Sequence, residues 1–349
     1  MLTPEHYAFA RQCGATHIVI HLVDYFRQAD SGGATNRDNQ PVNADGGCWG
    51  LAGDPDTFWT LEELTTIKTD IEAAGLTLHA IENFDPAHWY DILLGGPRRE
   101  EQMANVATMI RAVGAAGIPV IGYNFSIAGV YGRTEGPYAR GNAMSVGMEG
   151  EVDPTPIPDG IVWNMRLPEG HGVGSSARAC CSTEELWERF DWFLDRALPV
   201  AEEAGVRLAL HPDDPPVERI RDTPRLVIRP DLYQRMLDRH PSPACALEFC
   251  LGTLAEMPEG DVYVATEQFA DRIAYVHFRN IIGKAPRYEE QFVDEGDIDM
   301  PRIVEILRDA DFQGVLIPDH TPQMTCAAPW HAGMAHALGY MKALLEEKS

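Results

Sequence analysis

Short apolar runs recur along this chain, and the stretches between them carry helical pattern. The runs lie at residues 17–22, 76–82, 120–125, 208–211, 246–250, 273–277 and 315–319. Each is of a length that suits a buried strand. Alternation of strand and helix along a chain predicts a parallel sheet with helices packed outside it. These runs make seven strands, one fewer than a closed (β/α)8 barrel requires. The eighth is either hidden in a loop or missing.

The helices carry their own punctuation. Thr60 and Glu63 form a capping-box pattern, and that helix ends at Ala74-Gly75, where glycine suits the left-handed terminal position. A long helix runs from about Arg98 to Gly114 or Gly117. Ser182 and Glu185 repeat the capping pattern, opening a helix that ends at Gly205 and leads into the run before His211. Later helices are expected near 230–239, 261–270, 301–310 and 330–346. No Gly-x-Gly-x-x-Gly follows a strand, so a dinucleotide-binding fold is not supported.

A chain of 349 residues accommodates one TIM-type barrel, which needs roughly 250 residues plus insertions. The expectation is therefore a single α/β barrel domain over residues 1–349, with long insertions at its C-terminal face. Residues 126–181 form the longer insertion, a lid or an oligomer contact, and residues 281–300 a shorter, charged one. A net charge of −25 argues against nucleic acid and anionic membrane partners. No run of about 18 apolar residues is present to span a bilayer. The first residues lack the basic and apolar regions of a signal peptide, which points to the cytoplasm. Seven scattered cysteines are an odd number with no framework, consistent with a reducing compartment. Cys180-Cys181 reads as an ordinary buried pair.

Four of the runs end alike. They close on His211, Cys250, His277 and Asp319, each a residue type that binds metals. In a parallel barrel all strand C-termini open on one face, so the four side chains would converge there. Two imidazoles, a thiolate and a carboxylate suit a divalent cation. The softness of this set favours Zn²⁺ or Fe²⁺, whereas availability and chelation of oxygen-rich substrates favour Mn²⁺.

At these residues the chain resembles the mannonate dehydratases, metal-dependent TIM barrels of the xylose isomerase-like group. The resemblance is carried by residues 118–125, by 199–207 running into His211-Pro212-Asp213-Asp214-Pro215-Pro216, and by residues 249–253. It continues through His277-Phe278-Arg279-Asn280, residues 295–300 and Pro318-Asp319-His320. It implies Mn²⁺ held by His211, Cys250, His277 and Asp319. It also implies conversion of D-mannonate to 2-keto-3-deoxy-D-gluconate, as in hexuronate catabolism, with Arg279 and His320 beside the substrate.

The chain departs from the family pattern in three places. The family has a short aromatic strand before the first helix, whereas this chain begins at that helix, so the first barrel strand is expected to be atypical or missing. After Phe125 the family continues with Met-Pro and an aromatic-Asp-Trp-Thr-Arg segment, of which only Arg133-Thr134 is retained. A family Gly-Tyr near the C-terminus is replaced by Pro329-Trp330-His331.

Dehydration removes the proton alpha to the carboxylate and expels the 3-hydroxyl. Arg279 is expected to neutralise charge on the substrate carboxylate, in a fork geometry that lysine lacks. His320 is expected to move the proton, with Asp319 second. Tyr123, Asn124, Arg133 and Asn280 are candidate sugar or carboxylate contacts. Two other readings stand beside this one: a metal-dependent sugar isomerase or epimerase of the same barrel group, and a non-catalytic sugar-acid-binding relative. The long insertions suggest a homo-oligomer.

Overall fold

The computed structural model describes residues 2–28, 48–150 and 154–346. Its central sheet has seven strands, all parallel and adjacent in chain order. They are β1 (His17–His21), β2 (Thr77–Glu82), β3 (Val120–Tyr123), β4 (Arg207–Leu210), β5 (Cys245–Cys250), β6 (Ile273–His277) and β7 (Val315–Ile317). These are the seven runs expected from the sequence. Among the described residues no eighth strand joins the sheet. β1 and β7 come near each other at the seam without a hydrogen-bonded ladder. The fold is a nearly closed TIM-type barrel.

Local signals account for the helix boundaries. Helix Leu61–Ala73 starts where the Thr60 side chain accepts from the Glu63 amide, and Gly75 follows it at φ +79°. Helix Thr183–Ala204 has the full reciprocal box between Ser182 and Glu185, and stops at Gly205 in the left-handed region. One buried face of this helix, including Trp187, Phe190, Phe193 and Leu194, covers the outside of the sheet. Helix Pro86–Leu94 was not foreseen. All nine of its residues are buried, so it shows no apolar stripe from which a period can be read.

Inside the barrel the strands alternate by parity. Small residues fill the floor, among them Ala80, Val120, Ala209 and Ala246, with Val315. Toward the C-terminal mouth the inward positions turn polar.

The two insertions meet. The hairpin Thr134–Ala139 and Ala143–Glu149 pairs with Arg287–Gln291, which pairs with Asn280–Lys284. The result is one four-stranded antiparallel sheet. A second small sheet joins Gly50–Leu51 to Met165–Arg166 and Ile161–Val162. Arg225, fully buried, ties this region down by donating to Ser126 Oγ and to the carbonyls of Gly129 and Asp214. Cys181 is buried and Cys180 is exposed, so the expected buried pair is half right.

Candidate functional site

Three of the four expected metal ligands gather at neighbouring strand ends. His211 follows β4, Cys250 ends β5 and His277 ends β6. One ligand atom from each lies within 4.8 Å of the others. Asp319, two residues beyond β7, brings Oδ2 to 3.4 Å from His277 Nδ1. Its backbone is left-handed at φ +65°, a strained state for a non-glycine residue that recurs at functional positions. His211 Nδ1 lies 2.6 Å from the Pro212 carbonyl oxygen. With the Nδ1 proton donated there, Nε2 is the nitrogen that would face a cation, as in the orientation of metal-bound histidines. Thr253 Oγ1 donates to Cys250 Sγ at 3.2 Å.

The ionisation of this group fits a cation. Burial raises the Cys250 thiol, but Arg279, His211 and His277 outweigh it and hold the thiol well below its usual value. Burial likewise raises Asp319, and His320 and His277 more than reverse it. Burial lowers His211, yet the Cys250 partner lifts it to about 9. A thiolate and a carboxylate are thus balanced by protons on the imidazoles, and a divalent cation would supply the same positive charge. His277 is buried, and neither ring nitrogen has an aligned hydrogen bond. Orphaned donor atoms in this chemistry match a metal centre.

Beside it lies a second ionic group with the opposite character. Arg279 Nη2 donates to Asp214 at 2.9 Å, Thr253 Oγ1 at 2.8 Å and Glu256 at 3.1 Å. Its Nη1 reaches Glu290 at 3.1 Å and His320 Nε2 at 2.9 Å. Arg133, from the longer insertion, pairs with Asp214 and lies 3.8 Å from Glu290. Gly252 is required beside Arg279, because a Cβ there would strike the guanidinium. Burial and the neighbouring Asp214 carboxylate raise Glu256 well above the ordinary range. Both arginines were expected to face a substrate carboxylate. They are instead enclosed by protein carboxylates, which is where their charge is spent.

His320 links the two groups. Its Nδ1 is 2.7 Å from Glu290 Oε2, and its Nε2 is 3.2 Å from Asp319 Oδ2.

The other expected contacts divide. Asn124 is buried near the mouth, with Oδ1 lacking a hydrogen-bond partner. Tyr123 does not line the site. One residue along from inward-facing Gly122, it points into the layer between sheet and helices, against Trp89 and Phe193. Asn280 is also committed elsewhere: Nδ2 donates to the Ile298 carbonyl, and Oδ1 accepts from the Ile281 and Ile298 amides. Trp330 and His331 pack on Phe9 and His6 of helix Pro4–Gln12.

Sequence reasoning missed several residues. Glu82 ends β2 in the same manner as the four metal-type residues end their runs, so its signal was present. Glu248 and Tyr275 lie two residues before Cys250 and His277, and strand parity turns them to the same side. Burial raises Glu82, but His21 and His277 bring it down to about 2. Burial and Glu82 push Glu248 up to about 7. At the mouth, Tyr25 Oη lies 3.0 Å from His21 Nδ1 and accepts from Asn83 at 3.1 Å.

The D-mannonate dehydratase (UxuA) family model matches residues 24–151 and 174–345. A mannonate dehydratase of Streptococcus pneumoniae (strain 70585) is 35% identical over 280 residues, covering 75% of this chain and 74% of the relative. One of Oceanobacillus iheyensis is 30% identical over 277 residues, covering 75% and 77%. The crystal structure of mannonate dehydratase from Streptococcus suis serotype2 superposes with a TM-score of 0.70 at 28% identity, covering 95% of this chain and 93% of that one. A D-allulose 3-epimerase from Methylomonas sp. superposes with a TM-score of 0.55 at 13% identity, covering 97% and 90%, a likeness of fold alone.

Proposed function

The chain belongs to the mannonate dehydratase family, and we propose that it removes water from D-mannonate to give 2-keto-3-deoxy-D-gluconate. His211, Cys250, His277 and Asp319 would hold a divalent cation. The observation that carries this reading is the meeting of His211, Cys250 and His277 within 4.8 Å at adjacent strand ends. When bound there, the cation supplies Lewis acidity toward a carboxylate and its neighbouring hydroxyl.

The protein's own groups supply the rest. His320 is the proton-moving residue: Nδ1–H is donated to Glu290, so the Nε2 side takes or returns the proton. Asp319 is 3.2 Å from that nitrogen and ranks second. Arg279 holds Asp319, Glu290 and His320 in one arrangement, at 3.6, 3.1 and 2.9 Å. Its work is to position these groups, and Arg133 braces the same carboxylates from the insertion. With both guanidiniums enclosed, recognition of the sugar acid falls to the cation and to polar groups at the mouth: His21, Tyr25, Asn83 and Asn124.

The reading extends to Mn²⁺ as the native cation, to a role in hexuronate catabolism in the cytoplasm, and to a homo-oligomer. It treats residues 1–349 as one barrel domain, with the insertion at 126–181 serving as a lid or an oligomer contact. Among the described residues no helix is long and apolar enough to cross a membrane.

The test is a product assay. Protein loaded with Mn²⁺ and given D-mannonate should form a 2-keto-3-deoxy acid, and a chelated sample should not. A folded, loaded sample that forms none would overturn the assignment. Turnover of a neutral ketose without loss of water would replace it with an epimerase or isomerase.

A further inference from the structure

A second group of ligand atoms lies on the other side of the His277 ring. Glu82 places Oε2 at 3.3 Å from His277 Nε2, and Glu248 places Oε1 at 3.2 Å. One ligand atom each from Glu82, Glu248 and His277 lies within 4.8 Å of the others. All three residues are buried, the most accessible being Glu82 at 7%.

Two observations separate this from a chance gathering of acids. First, Glu248 Oε2 has no hydrogen-bond partner, and neither nitrogen of His277 has an aligned one. Polar atoms this deep are normally satisfied. Second, Gly122 of β3 faces the group, and a Cβ there would run into Tyr275 Oη and the Glu248 carboxylate. The missing side chain lets Tyr275 Oη and the Glu248 carboxylate pack directly against the β3 backbone.

We propose that Glu82, Glu248 and Nε2 of His277 form a second divalent-cation site. It is separate from the set of His211, Cys250 and Asp319, the last of which faces Nδ1 of the same ring. Two carboxylates and one imidazole, without sulfur, make a harder donor set than the first, suited to Mn²⁺ or Fe²⁺ and to Co²⁺ as a probe. The two carboxylate charges match one dication. Tyr275 Oη donates to Glu82 Oε2 at 3.3 Å and steadies that carboxylate, as outer partners of metal ligands do. His21, half-exposed at the mouth and 3.7 Å from Glu82 Oε1, marks the way in from solvent. With both sites filled, the His277 ring stands between two cations and carries no ring proton, a state that two flanking dications favour.

The inference assumes that the first set also binds a cation, and the test reads the two sites separately. The full chain is stripped with chelator and titrated with Co²⁺. Cobalt held by Cys250 gives a thiolate charge-transfer band, whereas cobalt held by Glu82, Glu248 and His277 gives none. The expected result is two Co²⁺ per chain, with the band complete after one. Glu248→Gln should bind one Co²⁺ and keep the band. Cys250→Ser should bind one and lack it. Glu82→Gln serves as the parallel variant if Glu248→Gln fails to fold by circular dichroism. One Co²⁺ per chain in the unaltered protein, or two in a folded Glu→Gln variant, would overturn the proposal. Two Co²⁺ without a band, falling to one in Glu248→Gln, would uphold it and count instead against Cys250 as a ligand.

Discussion

The barrel mouth holds two ionic groups side by side, and they differ in one respect. Around Arg279 the guanidinium, carboxylates and the Thr253 hydroxyl form several aligned hydrogen bonds at 2.8–3.1 Å, although Arg279 Nε and Glu256 Oε2 are left over. Around His277 neither ring nitrogen has an aligned partner, and a Glu248 oxygen also lacks one. The contrast teaches that density of charge does not locate chemistry. A buried network held by many aligned bonds is structure, whereas a ring whose two ligand-type nitrogens are both left over is shaped for something that is not protein.

Substitutions should break the two groups in different ways. The largest effect expected is on catalysis: Cys250→Ser should lower kcat/KM by roughly a thousandfold, about 4 kcal/mol of barrier. Its chelated form should unfold within about 1 kcal/mol of the unaltered protein, because few aligned bonds are lost. Asp214→Ala should do the reverse in kind. It leaves buried guanidinium charge uncompensated and should cost about 3–5 kcal/mol in urea unfolding. A variant that unfolds normally but has lost metal would move Asp214 from the matched group to the unmatched one.

Tyr123→Phe sharpens the boundary of the site. The Tyr123 hydroxyl has no partner and lies among aromatic rings. Removing it should raise stability by up to about 1 kcal/mol and leave turnover unchanged. A tenfold fall in kcat/KM would return Tyr123 to the site. The smallest effect is the control outside both groups. Burial raises Asp191, but hydrogen bonds from Arg239 and His240 outweigh it, so its folded value lies below the ordinary one. Stability from this carboxylate is full above the unfolded value near ~3.9 and is lost as pH falls through the lower folded value. Acid titration of Asp191→Asn beside the unaltered protein should show a gap that closes with falling pH. A gap that widens instead would reverse the sign.

Much of this arrangement was legible in the sequence. Seven short apolar runs became the seven strands, because a buried parallel strand needs only local apolarity. His211, Cys250 and His277 converged because parallel strands end on one face. What was lost was lost for physical reasons. Helix Pro86–Leu94 is buried all round, polar His88 and Asp91 included, so it has no apolar stripe to read. Tyr123 sits one residue from an inward position, and a single step along a strand reverses its face. The pairing of Arg133 and Arg279 with Asp214, Glu256 and Glu290 depends on segments far apart in the chain, and nothing local announces it. Asn280 fell within a matched motif but serves the backbone of the loop ending at Ile298.

The four-stranded sheet formed by the two insertions also has a consequence in time. Its first hairpin ends at Glu149, and the strand that must pair with it begins at Arg287. A ribosome adding about 5–20 residues each second separates the two by roughly 7–30 s. Through that interval the hairpin lacks its partner strand, and Arg133 has yet to meet Glu290. All of β4, β5 and β6 emerge before that sheet can be completed, so His211, Cys250 and His277 are made before it forms. Nascent chains therefore pass through a period in which three candidate ligands exist and Glu290, the partner of His320, does not.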